Sequence, residues 1–263
     1  MKDFFQSNLT HPLARDIDID SPDATVDKSR IIQSKLFLKN FYKDCYRSII
    51  RSIPQDINGI VLEIGSGAGF LKNYLPDLVT SEILSIPSVD IVLDAQAMPF
   101  GRNCLRAIVM VDVFHHLPDV KSFLTDSIRC VRPGGTVVMV EPWITRWSYF
   151  IYRFFHHEPI NLRTEQWPFP GKKPLSSANS ALPWIVFQRD RQKFQKEFPG
   201  WHIDEIKLDY PFTYLVSGGV SYRSPAPGRL FWLFRQFERL FQPIMGFVAM
   251  FAKITLRRVE ISR

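Results

Sequence analysis

The chain has 263 residues, of which 46% are hydrophobic and 22% charged, enough apolar material for a sizeable core and too much for overall disorder. Its net charge of +7 is spread along the sequence, with no basic block longer than Arg257-Arg258, so it reads as a solvated basic surface rather than a nucleic-acid stripe. Cys45, Cys104 and Cys130 are odd in number and far apart, which excludes a disulfide framework and a Cys-x-x-Cys metal site.

Residues 1–27 are polar and acidic without a hydrophobic period, and they read as an arm ahead of a single domain over 28–263. The first thirty residues hold no sustained apolar core. No segment reaches the roughly eighteen apolar residues that a spanning helix requires, and a cytoplasmic protein is expected. An apolar stripe at Ile31, Leu38, Phe41, Cys45, Ile49 and Ile53 predicts one helix over 28–53, capped by Asp27 and stopped by Pro54. Tyr42 and Tyr46 widen that stripe, so the helix is expected to flank whatever pocket follows.

Residues 60–64 read as a short buried strand that breaks into Gly65-Ser66-Gly67-Ala68-Gly69, a turn where backbone can approach a ligand closely. A helix is expected from Phe70 to about residue 75. Strands follow over 78–84, containing Glu82, and over 89–93, ending at Asp94-Ala95. A strand over 106–112, a helix over 119–131, a turn over 132–135 and a strand over 136–140 complete this half. Strands alternating with helices imply a parallel sheet, and right-handed crossovers bring Gly65, Glu82, Asp94, Asp112 and Glu141 to one rim.

The later chain is less regular. A helix is expected over 143–157, a loop over 158–180, a helix over 183–198 and a strand over 201–209. His156-His157-Glu158 lacks the spacing that places two imidazoles on one helical face, so no metal is expected. Leu230, Phe234, Phe237, Phe241, Ile244, Val248 and Phe251 recur every three or four residues, with Pro243 interrupting the pattern. This reads as a helix over 228–242 packed on the core, followed by a strand over 247–257 beside the one at 201–209. The other reading of 228–242 is a helix lying on a membrane surface.

A dinucleotide fold would place a third small residue where Phe70 stands, which disfavours a nicotinamide or flavin site. With Val61-Leu62-Glu63-Ile64-Gly65-Ser66-Gly67-Ala68-Gly69, Asp94-Ala95-Gln96-Ala97-Met98-Pro99-Phe100, the run Ile108 to Leu117 containing Asp112 and His115-His116, and Arg132-Pro133-Gly134-Gly135, residues 60–142 resemble the class I S-adenosylmethionine-dependent methyltransferases, in particular the "type 11"-like small-molecule group. The resemblance implies a Rossmann-like α/β fold: a seven-stranded, mostly parallel sheet with an antiparallel last strand and helices on both faces.

It also implies S-adenosyl-L-methionine as cofactor. Glu63, Gly65, Ser66, Gly67 and Gly69 would address the methionine portion and Glu82 the ribose hydroxyls. Asp94 and Ala95 would address the adenine, and Asp112 begins the loop beneath the cofactor. The cofactor core then covers about 54–142, and insertions over 143–182 and 211–243 build the acceptor side. Their aromatic content suggests a small, aromatic or lipid-linked acceptor, methylated on oxygen.

If a base is needed, His116 is preferred, with His115 and Glu141 as further candidates. Asp112-Val113-Phe114-His115 stands where many amino-group nucleic-acid methylating enzymes carry Asn-Pro-Pro-Tyr, so nucleic acid is not expected as substrate. The competing readings are a membrane-surface methyltransferase of a lipid-linked glycan or quinone precursor, a nicotinamide-dependent oxidoreductase, and a non-catalytic binder of an adenosine ligand.

Overall fold

The computed structural model describes residues 10–14, 18, 20–155, 158–169 and 176–260; the first nine residues of the expected arm, and His156 and His157, lie outside them. Two helices, α1 (Pro22–Ser34) and α2 (Leu36–Ile50), replace the single one expected over 28–53. α1 begins within the supposed arm because Ser21 caps it, accepting the Ala24 amide at 3.1 Å, and Pro22 is pre-set for the first turn. The break falls at Lys35, whose ψ is 90° and whose buried ammonium is received by the carbonyls of Gly219 and Tyr222.

The sheet has seven strands: β1 (Ile60–Glu63), β2 (Leu78–Glu82), β3 (Ile91–Val92), β4 (Leu105–Val111), β5 (Val131–Pro142), β6 (Trp201–Asp209) and β7 (Phe251–Arg258). Their order is β3-β2-β1-β4-β5-β7-β6. β7 runs antiparallel between β5 and β6, while the pairs among β1 to β5 are parallel, as expected from the sequence. Alternate residues of β1 and β4 pack on opposite faces. Leu62, Ile108 and Met110 meet α3 (Val120–Cys130) on one face, and Val61, Ala107 and Val109 meet α2 on the other.

Three local expectations are corrected. A single 3-10 turn, Leu71–Asn73, stands where a helix was expected from Phe70. Pro76 has no amide to donate and biases Leu75 away from helical angles, so the segment is too short to propagate. The turn over 132–135 is instead an irregularity inside β5, with Gly134 at φ +79° and a register shift against β4. The helix over 183–198 is broken into Leu182–Trp184, a π-helical Ile185–Arg189, and α5 (Arg191–Glu197).

The insertions supply α4 (Arg146–Phe155), α6 (Thr213–Ser217) and α7 (Phe231–Arg239). The core packing expected for the 228–242 helix holds for Phe231, fully buried, and for Phe234, whose ring meets Phe37 at 5.6 Å, but not for Phe237. Arg235 faces inward and pairs with Asp44 at 3.0 Å and Asp209 at 2.9 Å, with its guanidinium over the Tyr210 ring. Glu238 is fully buried, pairs with Arg235 and accepts the Phe212 and Thr213 amides at 2.8 and 2.6 Å. These polar bonds hold α7 down and turn Trp232, Leu233, Phe237 and Leu240 out to solvent. No helix among the described residues is long and apolar enough to cross a membrane.

Candidate functional site

A cavity of about 1230 Å³ lies along the carboxyl rim of the parallel strands. It exceeds the roughly 300–1,000 Å³ usual for one small-molecule site, which leaves room for two ligands side by side. Glu63, Gly65, Ser66, Gly67, Gly69, Glu82, Asp94, Ala95, Asp112 and His116 all line it, as the sequence placed them. His115 and Glu141 do not.

The loop after β1 is shaped for backbone approach. Gly65 has φ +66°, and a Cβ there would lie 2.5 Å from the Val113 side chain. A Cβ at Gly67 would fall 2.7 Å from Glu82 Oε2, and one at Gly69 would fall 2.9 Å from the Tyr46 hydroxyl. Ser66 ties the loop to β2: its amide donates to Ser81 O at 2.8 Å and its hydroxyl accepts the Ser81 amide at 3.1 Å. With no helix behind the glycines, α1 and α2 form the wall, contributing Thr25, Lys28, Tyr42 and Tyr46. Tyr46 accepts the Phe70 amide at 3.1 Å, and its ring meets Phe70 edge-on.

Acidic groups follow one another along the rim. Burial raises the Glu63 carboxyl to about 7, with its Ser66 hydrogen bond opposing and Glu82 reinforcing the shift. Glu82, also buried, is raised by desolvation against the pull of backbone amides and Lys28; its Oε1 accepts the Ile83 amide at 2.8 Å. Asp94 is exposed at the end of β3, held by the Gln96 amide at 2.8 Å. A cationic, hydroxylated ligand carrying an exocyclic amine matches this sequence of acceptors, and glycine backbone lies beside it. The chain's residues therefore fit an adenosyl sulfonium cofactor of the kind the resemblance implies.

A second polar cluster is centred on His115. Asp112, in the left-handed region at φ +62°, turns the chain out of β4, and the one-turn helix Phe114–His116 sets both imidazoles. His115 is fully buried, with Nδ1 2.8 Å from Glu141 Oε2 and Nε2 3.2 Å from Glu158 Oε2. Burial opposes its protonation, yet Glu158, Glu141 and Asp112 together raise its pKa well above the usual value. The Asp112 carboxyl is raised by burial, against the opposing charge of His115.

His116 is turned by Ser177 O at 3.2 Å, and its Nε2 lies 3.6 Å from Glu158 Oε1. Burial and the neighbouring His115 lower it to about 3, so it is neutral at ordinary pH. Glu141 is corrected as an acceptor-side group: it is fully buried and off the cavity, and both oxygens are occupied, Oε1 by the Val113 and Phe114 amides at 2.8 Å.

Glu158 was set aside in sequence as part of His156-His157-Glu158, two residues of which lie outside the described structure. It joins instead with His115 and His116, and their ligating atoms all lie within 4.8 Å of one another. Thr25, Lys28, Glu158 and Tyr214 are among the wall residues that sequence reasoning missed. The Tyr42 and Tyr46 spacing was the visible signal for the α2 wall; the others come from segments distant in sequence.

Residues 62–139 match the family described as a methyltransferase domain. The comparison with curated proteins returned no match. Among solved structures, a chain of the complex between the Haloferax volcanii Trm112 methyltransferase activator and its methyltransferase superposes with a TM-score of 0.55 at 13% identity, over 92% of this chain and 97% of that one. Geranyl diphosphate C-methyltransferase from Streptomyces coelicolor A3(2), with Mg2+, geranyl diphosphate and S-adenosyl-L-homocysteine, superposes with a TM-score of 0.52 at 9% identity, over 95% of this chain and 89% of that one. At such identities the likeness is one of fold.

Proposed function

We propose, from the match of residues 62–139 to a methyltransferase-domain family and a fold shared with a solved methyltransferase complex, that this chain transfers the methyl group of S-adenosylmethionine to an oxygen of a small, aromatic or lipid-like acceptor. The observation that carries this reading is the single cavity that joins the glycine loop and the rim acids to His116 and Glu158. When bound, the sulfonium supplies an activated methyl, so alignment of nucleophile, carbon and sulfur is most of what the protein must contribute.

Glu63 and the amides of the glycine loop hold the amino-acid end of the cofactor. Glu82 accepts from both ribose hydroxyls, which a carboxylate can do at once, and Asp94 with Ala95 meets the adenine edge. Asp112 bounds the reactive end. His116, neutral and facing the cavity, receives the acceptor's proton, although a pKa near 3 makes it a weak base that relies on close contact. His115 lies off the cavity wall between carboxylates and acts as a positioning residue for His116 and Glu158. Cavity residues Ile151, Phe154, Tyr214 and Met250 give the acceptor side its apolar character.

Titration calorimetry with S-adenosylmethionine and with NADH tests the cofactor. Binding of the first is expected, and binding of NADH alone would overturn the reading. His116→Gln should lower kcat while leaving cofactor affinity intact; unchanged turnover removes His116 as the base.

A further inference from the structure

We infer that the face formed by α4 and α7 docks on an anionic lipid bilayer, with the mouth of the cavity opening toward the lipid. The inference rests on continuity. Phe154 and Phe155 at the end of α4 line the cavity and are also 68% and 61% exposed. From them a chain of ring contacts leads away across the surface. Phe154 meets Phe150 at 5.1 Å, Phe150 meets Trp147 at 6.4 Å, Trp147 meets Phe212 at 5.9 Å, and Phe212 meets Phe237 of α7 at 6.3 Å. α7 then adds Trp232, Leu233 and the adjoining Leu240, the last two 64% and 74% exposed. Scattered exposed apolar residues are ordinary on a protein surface, but a contiguous array that runs into a ligand cavity is not.

Charge selects the occupant. Residues 146–155 and 229–250 contain Arg146, Arg153, Arg229, Arg235 and Arg239 and a single acid, Glu238. That acid is buried and paired with Arg235, so the outer face presents arginines without a compensating carboxylate of its own. An apolar surface with basic residues around it is the composition that seats on anionic headgroups, with aromatic rings at the boundary with the acyl chains. Arg235, Glu238 and the buried Phe231 anchor α7 to the protein, and Trp232, Leu233, Phe237 and Leu240 are left on its outer side.

As a source of acceptor, the bilayer gives the apolar end of the cavity a purpose, and in that respect the inference rests on the methyltransferase reading. Docking itself is measurable without any turnover. The full chain should co-sediment with phosphatidylcholine vesicles containing phosphatidylglycerol and much less with phosphatidylcholine alone. Added salt should weaken the binding without abolishing it, because salt screens the charges and leaves the apolar contact.

The double substitution Leu233→Ser, Leu240→Ser removes exposed side chains away from the cavity. It should reduce partition at least tenfold while leaving S-adenosylmethionine binding and thermal stability as they were. Failure to bind anionic vesicles overturns the inference. So does wild-type partition of the double variant, or a stable dimer in sedimentation velocity that this substitution dissolves. Vesicle binding without cofactor binding would leave the docking surface standing and remove the methyltransferase reading; the converse would do the reverse.

Discussion

The imidazole of His115 lies 2.8 Å from one oxygen of Glu141, and the other oxygen of that carboxylate accepts the amides of Val113 and Phe114. One buried acid at the end of β5 thus fixes the loop that leaves β4. Glu141→Ala would orphan two buried amides and the Nδ1 side of His115, leaving Glu158 on its other nitrogen, a loss of about 3 kcal/mol on the scale of broken buried pairs. Denaturant unfolding measures this; a change below about 1 kcal/mol would show that the loop is held some other way.

Glu63 links cofactor affinity to pH. Its carboxyl stands near 7 in the folded protein, so it is ionised above that pH and neutral below it. An ammonium partner needs the ionised form. Affinity for S-adenosylmethionine should therefore be full at about pH 8 and fall as pH drops through 7, by up to roughly tenfold per unit. Calorimetry across that range with Glu63→Gln as comparison should give a sloping profile for the native chain and a flat, weaker one for the variant.

Gly67 has no room for a side chain. Gly67→Ala would press a methyl against Glu82 Oε2 and Thr25 Cγ2, at 2.7 and 3.0 Å in the unrelaxed geometry. Displacing Glu82 should cost about tenfold in cofactor affinity, or about 1.4 kcal/mol. Gly101→Ala, where a Cβ meets nothing within 4 Å, is the control and should bind as the native chain does.

Arg235 gathers three carboxylates, those of Asp44, Asp209 and Glu238. Arg235→Met keeps the length of the side chain and removes the charge, leaving a buried Glu238 without its partner. A loss of about 3–5 kcal/mol is expected, with α7 the first element to open. Hydrogen exchange over 231–239 would report the local opening, and native protection there would count against the bridge as its anchor.

The cluster of His115, His116 and Glu158 has the ligand types of a zinc site. A protonated His115 already supplies positive charge to Glu141, Glu158 and Asp112. Chelator treatment is therefore expected to leave methyl transfer unchanged, and elemental analysis of the purified protein to show no stoichiometric zinc. Zinc at one per chain would reverse this expectation.

Much of the rim was legible in the sequence because each of its residues is local to a strand end. Glycines spaced by two after an apolar run require a tight turn, and acids at the ends of β2, β3 and β4 reach the same rim once the sheet is parallel. The helix expected after Gly69 does not form because the six residues from Phe70 to Leu75 before Pro76 are too few to propagate one, and a 3-10 turn stands there. The start of α1 was not legible because its cap, Ser21, sits among acidic residues without a hydrophobic period.

By itself the sequence determined the parallel sheet, the glycine turn and the line of acids, since these depend on strand period, backbone permissiveness and chain order. Only the tertiary structure decided what surrounds them. Glu158 is far from His115 in the chain and 3.2 Å from it in space. The stripe of α7 likewise could not reveal its own direction: a helix period shows that two faces differ, and which face is buried depends on partners elsewhere. Here the inward face holds both Arg235, received by Asp44 and Asp209, and the fully buried Phe231, partners that lie far from α7 in the sequence.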